Sequence, residues 1–358
     1  FIDFRLSTFD FRLYMHIAID VTPMESAHSG RGIGVYTKNL VESLKQYENK
    51  HLYTLFTQKQ NVPRDADIVH YPYFDPFFLT LPLFKPKPTV VTVHDLIPLV
   101  FPNHFPAGIR GMIKWQVQRW GLKRVNRIIT DSEASKSDVE RVAGFSSSCI
   151  DVVHLAPSPV FGPIHDASVL SGIKKKYGLP DRFILYVGDV NWNKNIMGLL
   201  EAFQKQRDIK LVLVGKAFRD RSPEANAIQA RIDTLGVRDG VMTPGFVSFN
   251  DLSVLYSLAS VYVQPSFYEG FGLPVLEAMA CGCPVISSDA ASLREIAGPA
   301  IMIDPNSPSD IAVRLREVLT MSGDKRLALI QKGIVWAKEY SWEAVAHQTV
   351  RSYEKAIA

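Results

Sequence analysis

Short apolar runs recur along the chain, each followed by a longer stretch whose apolar positions return every three or four residues. The runs His16–Asp20, Tyr53–Thr57, Ile68–His70, Val90–Val93, Arg127–Thr130 and Ile150–His154 predict strands. Near-continuous Val, Ile and Leu is what a sheet covered on both faces requires. Val35–Tyr47 and Ala107–Arg124 carry helical spacing between them. The alternation restarts after about residue 165. Strands are predicted there at Phe183–Val187, Leu211–Val214, Val241–Pro244, Val261–Gln264, Pro284–Ser287 and Ile301–Ile303. Strand–helix alternation is the signature of parallel α/β sheets, and two successive series predict two such domains. Between them APSPVFGPIHDASV, residues 156–169, holds Pro157, Pro159, Gly162 and Pro163 and reads as a hinge-bearing linker.

Composition narrows the class. A chain of 358 residues with 47% hydrophobic and 21% charged residues has ample apolar surface to bury, which excludes disorder as its main state. No apolar run is long enough to span a membrane. A net charge of +4 is too slight for a nucleic-acid binder. Three Cys cannot build a disulfide framework and fit a reducing compartment. Residues 1–14, FIDFRLSTFDFRLY, alternate apolar with charged residues and lack the apolar core and cleavage site of a signal peptide. They read as an extension, with Met15 opening the first strand, or else as an edge strand.

Open parallel sheets bind ligands beyond the carboxyl ends of their strands, so the loops after the apolar runs hold the candidate chemistry. In SGRGIGVYTKNL, residues 29–40, Gly30, Gly32 and Gly34 precede a helix. They allow close backbone approach to an anion, or simply a turn; the spacing is neither the dinucleotide fingerprint nor a P-loop. In TVHDLIPL, residues 92–99, His94 and Asp95 follow a strand, as a reacting pair or as a capping Asp beside a backbone-bonded His. GDVNWNKN, residues 188–195, offers Gly188 and Lys194 to phosphate oxygens, or a solvated Lys. The loop from residue 265 is the most informative. Gly270 and Gly272 precede a helix predicted at Leu273–Ala280, with Pro274 near its start. Glu269 stands at the strand tip. Glu277, eight residues on, is a carboxylate suited to a vicinal diol such as a ribose. The plain alternative is an exposed Glu pair.

EGFGLPVLE, residues 269–277, resembles the E-x7-E motif of the retaining GT-B glycosyltransferases of family four. GIGVYT at 32–37, TVHDLIPL at 92–99, LYVGDVNWNKN at 185–195, PGFV at 244–247, VYVQPS at 261–266, EAMACGCPVISSD at 277–289 and SWEAVAHQTVRSYEKA at 341–356 are similar to its other blocks, in order. The resemblance covers residues 15–358. It implies the GT-B fold: two Rossmann-like α/β domains with parallel sheets facing across a cleft. Residues 15–160 would form the acceptor-side domain and 161–340 the nucleotide-sugar domain, with 341–358 a helix crossing back to the first.

The resemblance also implies roles. Glu277 would hold the ribose hydroxyls and Glu269 the donor-sugar hydroxyls near the reacting carbon. Lys194 matches the diphosphate lysine, and His94 the first-domain residue approaching the donor sugar. Gly32 and Gly34 match the loop near the phosphates. Gly188 and Asn193 belong to the lysine loop, Val247 to a position whose backbone meets the base. The backbone of Gly270, Phe271, Gly272 and Leu273 would meet sugar and phosphate. Many members carry Arg where this chain has Asp189 and Asn193, so Lys194 would be the only long cation of its loop, with Arg294 a candidate to compensate.

The activity implied is retaining transfer of a hexose, mannose as first choice, from a nucleotide-diphosphate sugar to a glycan or lipid-linked sugar. GDP-mannose is the donor suggested by the NWNKN-type loop. The family needs no cofactor or metal, and no D-x-D precedes a strand of the second series. If Glu269 and Glu277 both lay on a helix they would stand about 12 Å apart, too far for the carboxylate pair of a retaining hydrolase. Front-face departure, with the diphosphate taking the acceptor proton, is the expected route. A nucleotide-sugar epimerase on the same fold and a non-catalytic nucleotide-sugar-binding protein are the rivals. The enzyme is expected to be cytoplasmic, peripheral to the inner face of the membrane if it touches lipid at all. The basic stretch Arg110–Arg127 with Trp115 and Trp120 offers such a contact, but its charges scatter around a helical wheel, so it reads as an ordinary helix. Cys281 and Cys283 read as small core residues, His154 and His165 as structural.

Overall fold

The computed structural model describes residues 14–25, 32–206 and 208–358. The expected extension falls almost wholly outside them, as does Gly30.

Six parallel strands build the first sheet: β1 His16–Asp20, β2 Leu52–Phe56, β3 Ile68–Tyr71, β4 Thr89–Thr92, β5 Arg127–Thr130 and β6 Ile150–Val152. Their spatial order is β2-β1-β3-β4-β5-β6. The second sheet repeats the plan with β7 Phe183–Val187, β8 Lys210–Val214, β9 Val241–Gly245, β10 Val261–Gln264, β11 Val285–Ser288 and β12 Ile301–Ile303. Its order is β12-β11-β10-β7-β8-β9, again all parallel. The central strands are buried along their whole length, as the unbroken apolar runs require: all residues of β1, β3, β4, β10 and β11 lie in the core.

Six helices matter for function: α1 Gly32–Tyr47, α2 Gly108–Leu122, α3 Glu133–Asp138, α4 Ile196–Phe203, α5 Leu273–Ala280 and α6 Trp342–Ile357. The glycine-rich segment expected as a loop is already helical from Gly32, and Gly34 is buried in the first turn of α1. The segment around residues 156–169 is pinned: Phe161 packs its ring against Phe249 and Tyr256. Helix α6 lies on α1 and the first sheet. Its Tyr353 hydroxyl bonds the buried His70 ring at 2.7 Å, His347 meets Glu48 at 2.6 Å, and Lys355 meets Asp151 at 2.6 Å. At its start, the Trp342 indole N–H donates to the Pro157 carbonyl at 3.1 Å.

Candidate active site

In the second sheet β7 has β8 on one side and β10 on the other, so the chain leaves the sheet in opposite directions after β7 and β10. The crevice opened there is where doubly wound sheets bind ligands. The two loops that flank it carry Lys194 and Glu269, and the Lys194 ammonium lies 2.6 Å from Glu269 Oε2. Glu269 is buried, and its Oε1 accepts from Ser266 Oγ at 2.6 Å and Gln264 Nε2 at 2.7 Å. Asn193 fastens the loops together: its amide donates to the Tyr268 carbonyl at 2.9 Å, and its own carbonyl accepts from Phe267 N–H at 2.8 Å.

Beside this pair a cleft of about 550 Å³ runs between the two domains. Gly32, Tyr36 and Trp342 line one wall, and Gly188, Lys216, Phe246, Val247, Leu273 and Glu277 the other. Its floor is bare backbone. A Cβ on Gly215 would lie 2.0 Å from the Gly188 carbonyl oxygen, so no side chain fits where β7 and β8 end. Helix α5 opens on the cleft after Gly272, with no side chain capping its first N–H groups. Pro274 has no N–H and Val275 donates to the Gly272 carbonyl at 3.0 Å, which leaves the Leu273 N–H to face an anion. One turn further, Glu277 is buried with Oε2 accepting from the Tyr256 hydroxyl at 3.1 Å. Burial pushes its carboxyl up to about 7, while the Tyr256 bond pulls the other way.

A second cluster lies where the domains meet. His94 Nδ1 is 2.6 Å from Asp131 Oδ2, and its Nε2 is 3.2 Å from the Pro72 carbonyl. Both ring nitrogens face acceptors, which only the imidazolium can satisfy. Burial favours the neutral ring, but the charge and hydrogen bond of Asp131 more than offset this, and the pKa is raised. Burial likewise raises the Asp131 carboxyl, with His94 opposing. Tyr36 meets the His94 ring edge-on at 4.6 Å. Gly270 docks against this cluster. Its carbonyl accepts from Ser132 Oγ at 2.7 Å and Ser135 Oγ at 3.1 Å. A Cβ there would stand 2.8 Å from the His94 carbonyl and 2.9 Å from the Asp95 side chain. Further contacts close the joint: Tyr268 bonds Asp138 at 2.8 Å, and the His104 and Trp192 rings stack at 3.6 Å.

The expected site residues therefore divide. Gly32, Gly188, Val247, Leu273 and Glu277 line the cleft; His94, Lys194, Glu269 and Gly270 gather at the adjoining joint. Gly272 caps α5, Phe271 buries its ring beside His154 and Tyr340, and Asn193 bonds backbone without lining the cleft. The helical spacing argument for Glu269 and Glu277 does not apply, because Glu269 precedes α5 and only Glu277 is helical. Arg294 does not reach toward the cleft; it pairs with Asp289 at 2.5 Å. The long cation that lines the cleft is Lys216, which the sequence left indistinct among many lysines; Lys194 lies at the joint beside it. Phe246, Gly215 and Asp131 were missed too. Phe246 stood inside the quoted PGFV block, and its large aromatic side chain after a strand was the available signal. Cys281 and Cys283 are buried as expected. Among the described residues no three His, Cys, Asp or Glu side chains converge to hold a metal.

Comparison with known proteins agrees with this geometry. Residues 172–336 match the family profile "Glycosyl transferases group 1", and residues 50–156 match "Glycosyltransferase Family 4". The O-antigen chain mannosyltransferase B of Escherichia coli is 32% identical over 271 residues, 74% of this chain and 70% of its own length. The serotype-specific mannosyltransferase WbdA of Escherichia coli is 28% identical over 280 residues, 76% of this chain and 34% of that longer protein. The solved structure of Anabaena Alr3699/HepE in complex with UDP-glucose superposes with a TM-score of 0.73 at 17% identity, covering 95% of this chain and 99% of that one. Two Rossmann-like domains facing across a cleft, with Glu277 of the E-x7-E segment on its wall, have the GT-B fold, and with these matches the chain belongs to the group 1, family four glycosyltransferases.

Proposed function

We propose that the enzyme transfers mannose, with retained configuration, from a nucleotide-diphosphate sugar, GDP-mannose first, to a glycan or lipid-linked sugar. The observation that carries this is Glu277: a buried carboxylate lining the cleft one turn inside a helix with an open N-terminus. It suits a ribose diol and diphosphate held together on one helix. The mannosyltransferase relatives supply the choice of sugar.

In this reading the base lies against Val247 and Phe246, and the ribose hydroxyls donate to Glu277. The diphosphate sits over the Gly188–Gly215 floor, between the α5 N-terminus and the α1 N-terminus at Gly32. Lys194 and Lys216 supply the cations that Asp189 and Asn193 do not. As the bond to the sugar breaks, negative charge grows on the diphosphate, and these groups stabilise it where it develops. Glu269 orients the sugar hydroxyls. His94, held as imidazolium by Asp131 and Pro72, is a hydrogen-bond donor rather than a base. The acceptor proton passes to the departing diphosphate on the same face, which needs no protein nucleophile and no metal. The same reading divides the chain at 15–160, 161–340 and 341–358 and places the enzyme in the cytoplasm.

The test is incubation with a panel of nucleotide sugars and glycan acceptors, following nucleoside diphosphate release and the anomeric configuration of the product by NMR. GDP release with an α-mannosyl product is expected. Epimerised free sugar without acceptor would favour the epimerase, and tight binding with no turnover a binding protein.

A further inference from the structure

The loops that carry Lys194 and Glu269 each place an aromatic ring two residues earlier, Trp192 and Phe267. The two rings stack with centroids 5.0 Å apart and planes 26° apart. Phe101 of the first domain meets the Trp192 ring at 5.2 Å. These three half-buried rings wall a second cavity of about 590 Å³. The lysine loop separates it from the cleft of Glu277: Gly188 to Asn191 line the cleft, and Trp192 lines the cavity. The rest of the wall comes from the ends of β11 and β12. Asp289 follows one strand, Asp304 the other, and all three polar groups there, Asp289, Asp304 and Asn306, are exposed. Their turn is fixed. Asp304 Oδ1 accepts from the Asn306 backbone N–H at 2.9 Å and from its amide at 3.1 Å, and Asp304 N–H donates to Asp310 at 2.9 Å. That leaves Asp304 Oδ2 and Asn306 Oδ1 to accept from a ligand.

This chemistry selects the occupant. Among the described residues that line the cavity none is Lys or Arg, and Arg294 beside it is held by Asp289. A phosphate or nucleotide would meet carboxylates with no cation to pair it. An alkyl chain would desolvate those carboxylates without partners. A divalent cation would find two carboxylates but no third ligand of that kind among the described residues. A neutral sugar satisfies both walls: the C–H face of a pyranose packs on a ring, and its hydroxyls donate to carboxylate and amide oxygens. We propose that this cavity is a subsite for a neutral oligosaccharide, holding units of the acceptor glycan beyond the one that reacts. The assignment to the acceptor rests on the transferase reading above. Two residues of chain span at most about 7 Å, so sugars held on Trp192 and Phe267 run close to the Lys194–Glu269 pair. Because Phe101 comes from the first domain and the other walls from the second, a chain seated there also bridges the two.

The test uses the full chain and a ladder of α-linked manno-oligosaccharides of increasing length. Saturation-transfer NMR without donor reads binding, and KM with donor reads its use. Binding should strengthen with length and survive high salt, since it involves no ion pair. The pair Asp304→Ala with Asn306→Ala should weaken it about tenfold. Ala290→Trp, which fills the cavity from its wall, should abolish it. Melting temperature and GDP affinity check that each variant is folded. In transfer, KM for the longer acceptors should rise in both variants toward that of the shortest. Absence of binding, displacement by inorganic phosphate, or affinity and KM unchanged in both variants overturns the proposal. Oligosaccharide binding that both variants remove, without diphosphate release from any nucleotide sugar, would overturn the transferase reading and the acceptor assignment with it, while the glycan site stands.

Discussion

Lys194 and Glu269 hold each other at 2.6 Å across the point where the second sheet reverses its strand order. The ammonium expected to meet phosphate is thus already engaged by the carboxylate expected to meet sugar. A donor entering the site takes over part of this bond, and the two side chains respond as a unit. Lys194→Met leaves the buried Glu269 charge without its cation. It should lower stability by on the order of 3 kcal/mol and abolish transfer. Glu269→Gln frees the lysine for the diphosphate. It should tighten nucleoside diphosphate binding while reducing kcat at least a hundredfold. Thermal melting and calorimetry on both variants check this; a Glu269→Gln enzyme with near wild-type kcat would rule out the role of that charge.

Nucleotide binding is expected to depend on pH through Glu277. With its carboxyl at about 7, it is largely protonated at pH 6 and ionised at pH 8. A carboxylate accepts two diol hydrogen bonds better than the acid, so affinity should rise through this window, and binding at pH 6.5 should release a proton. Glu277→Gln should bind more weakly and with a flat pH profile. The folded pKa is raised, so the folded chain holds this proton more tightly than the unfolded one. The stability gained that way is full below about 4.5 and is lost as pH rises through about 7. Titration calorimetry in buffers of differing ionisation enthalpy reads the proton directly.

Asp131 favours the charged form of His94. In the wild type the His94 ring should titrate above its ordinary 6.5 by NMR. In Asp131→Asn the burial that favours the neutral ring is opposed only by the Asp95 charge and the Pro72 carbonyl, and the midpoint should fall relative to the wild type. The stabilisation from this pair is present below about 6.5 and is lost as pH rises through the raised folded pKa, so the variant's stability deficit should shrink at alkaline pH.

Phe246 is 65% exposed at the cleft mouth. Phe246→Ala should leave thermal stability within about 0.5 kcal/mol, as exposed substitutions do. If the base stacks there, nucleotide affinity should fall about tenfold, in line with the roughly 1–3 kcal/mol of a base–aromatic contact. Unchanged affinity would place the base elsewhere in the cleft.

Gly270→Ala puts a methyl group 2.8 Å from the His94 carbonyl. The backbone there cannot yield without parting the domains. Small-angle scattering should show a larger radius of gyration, with each sheet intact by circular dichroism and transfer reduced at least tenfold.

The strands were legible because each carries its own burial requirement. Arg127–Thr130, Phe183–Val187, Val261–Gln264 and Ile301–Ile303 begin and end where the apolar runs do. Glu269, Glu277 and Lys194 were legible as types placed at strand ends. Their partners were not. Asp131 lies 37 residues from His94, and Ser132 lies 138 residues from Gly270. No local pattern marks a side chain whose partner arrives from a neighbouring strand, as for His94, or from the other domain, as for Gly270. Gly270 shows the limit: the glycine read as an open N–H for a ligand is also where the second domain packs too closely on the His94 backbone to admit a side chain.

The chain passes between the domains twice, once after β6 and once before α6, and the Trp342 indole bonds the first passage to the second at Pro157. Two crossings tied at one point act like the pin of a door. A swing of the halves about it would leave that bond intact, whereas sliding or twisting past one another would break it. Opening should therefore be a single rotation, which returns the reacting groups to the same register each time the door shuts.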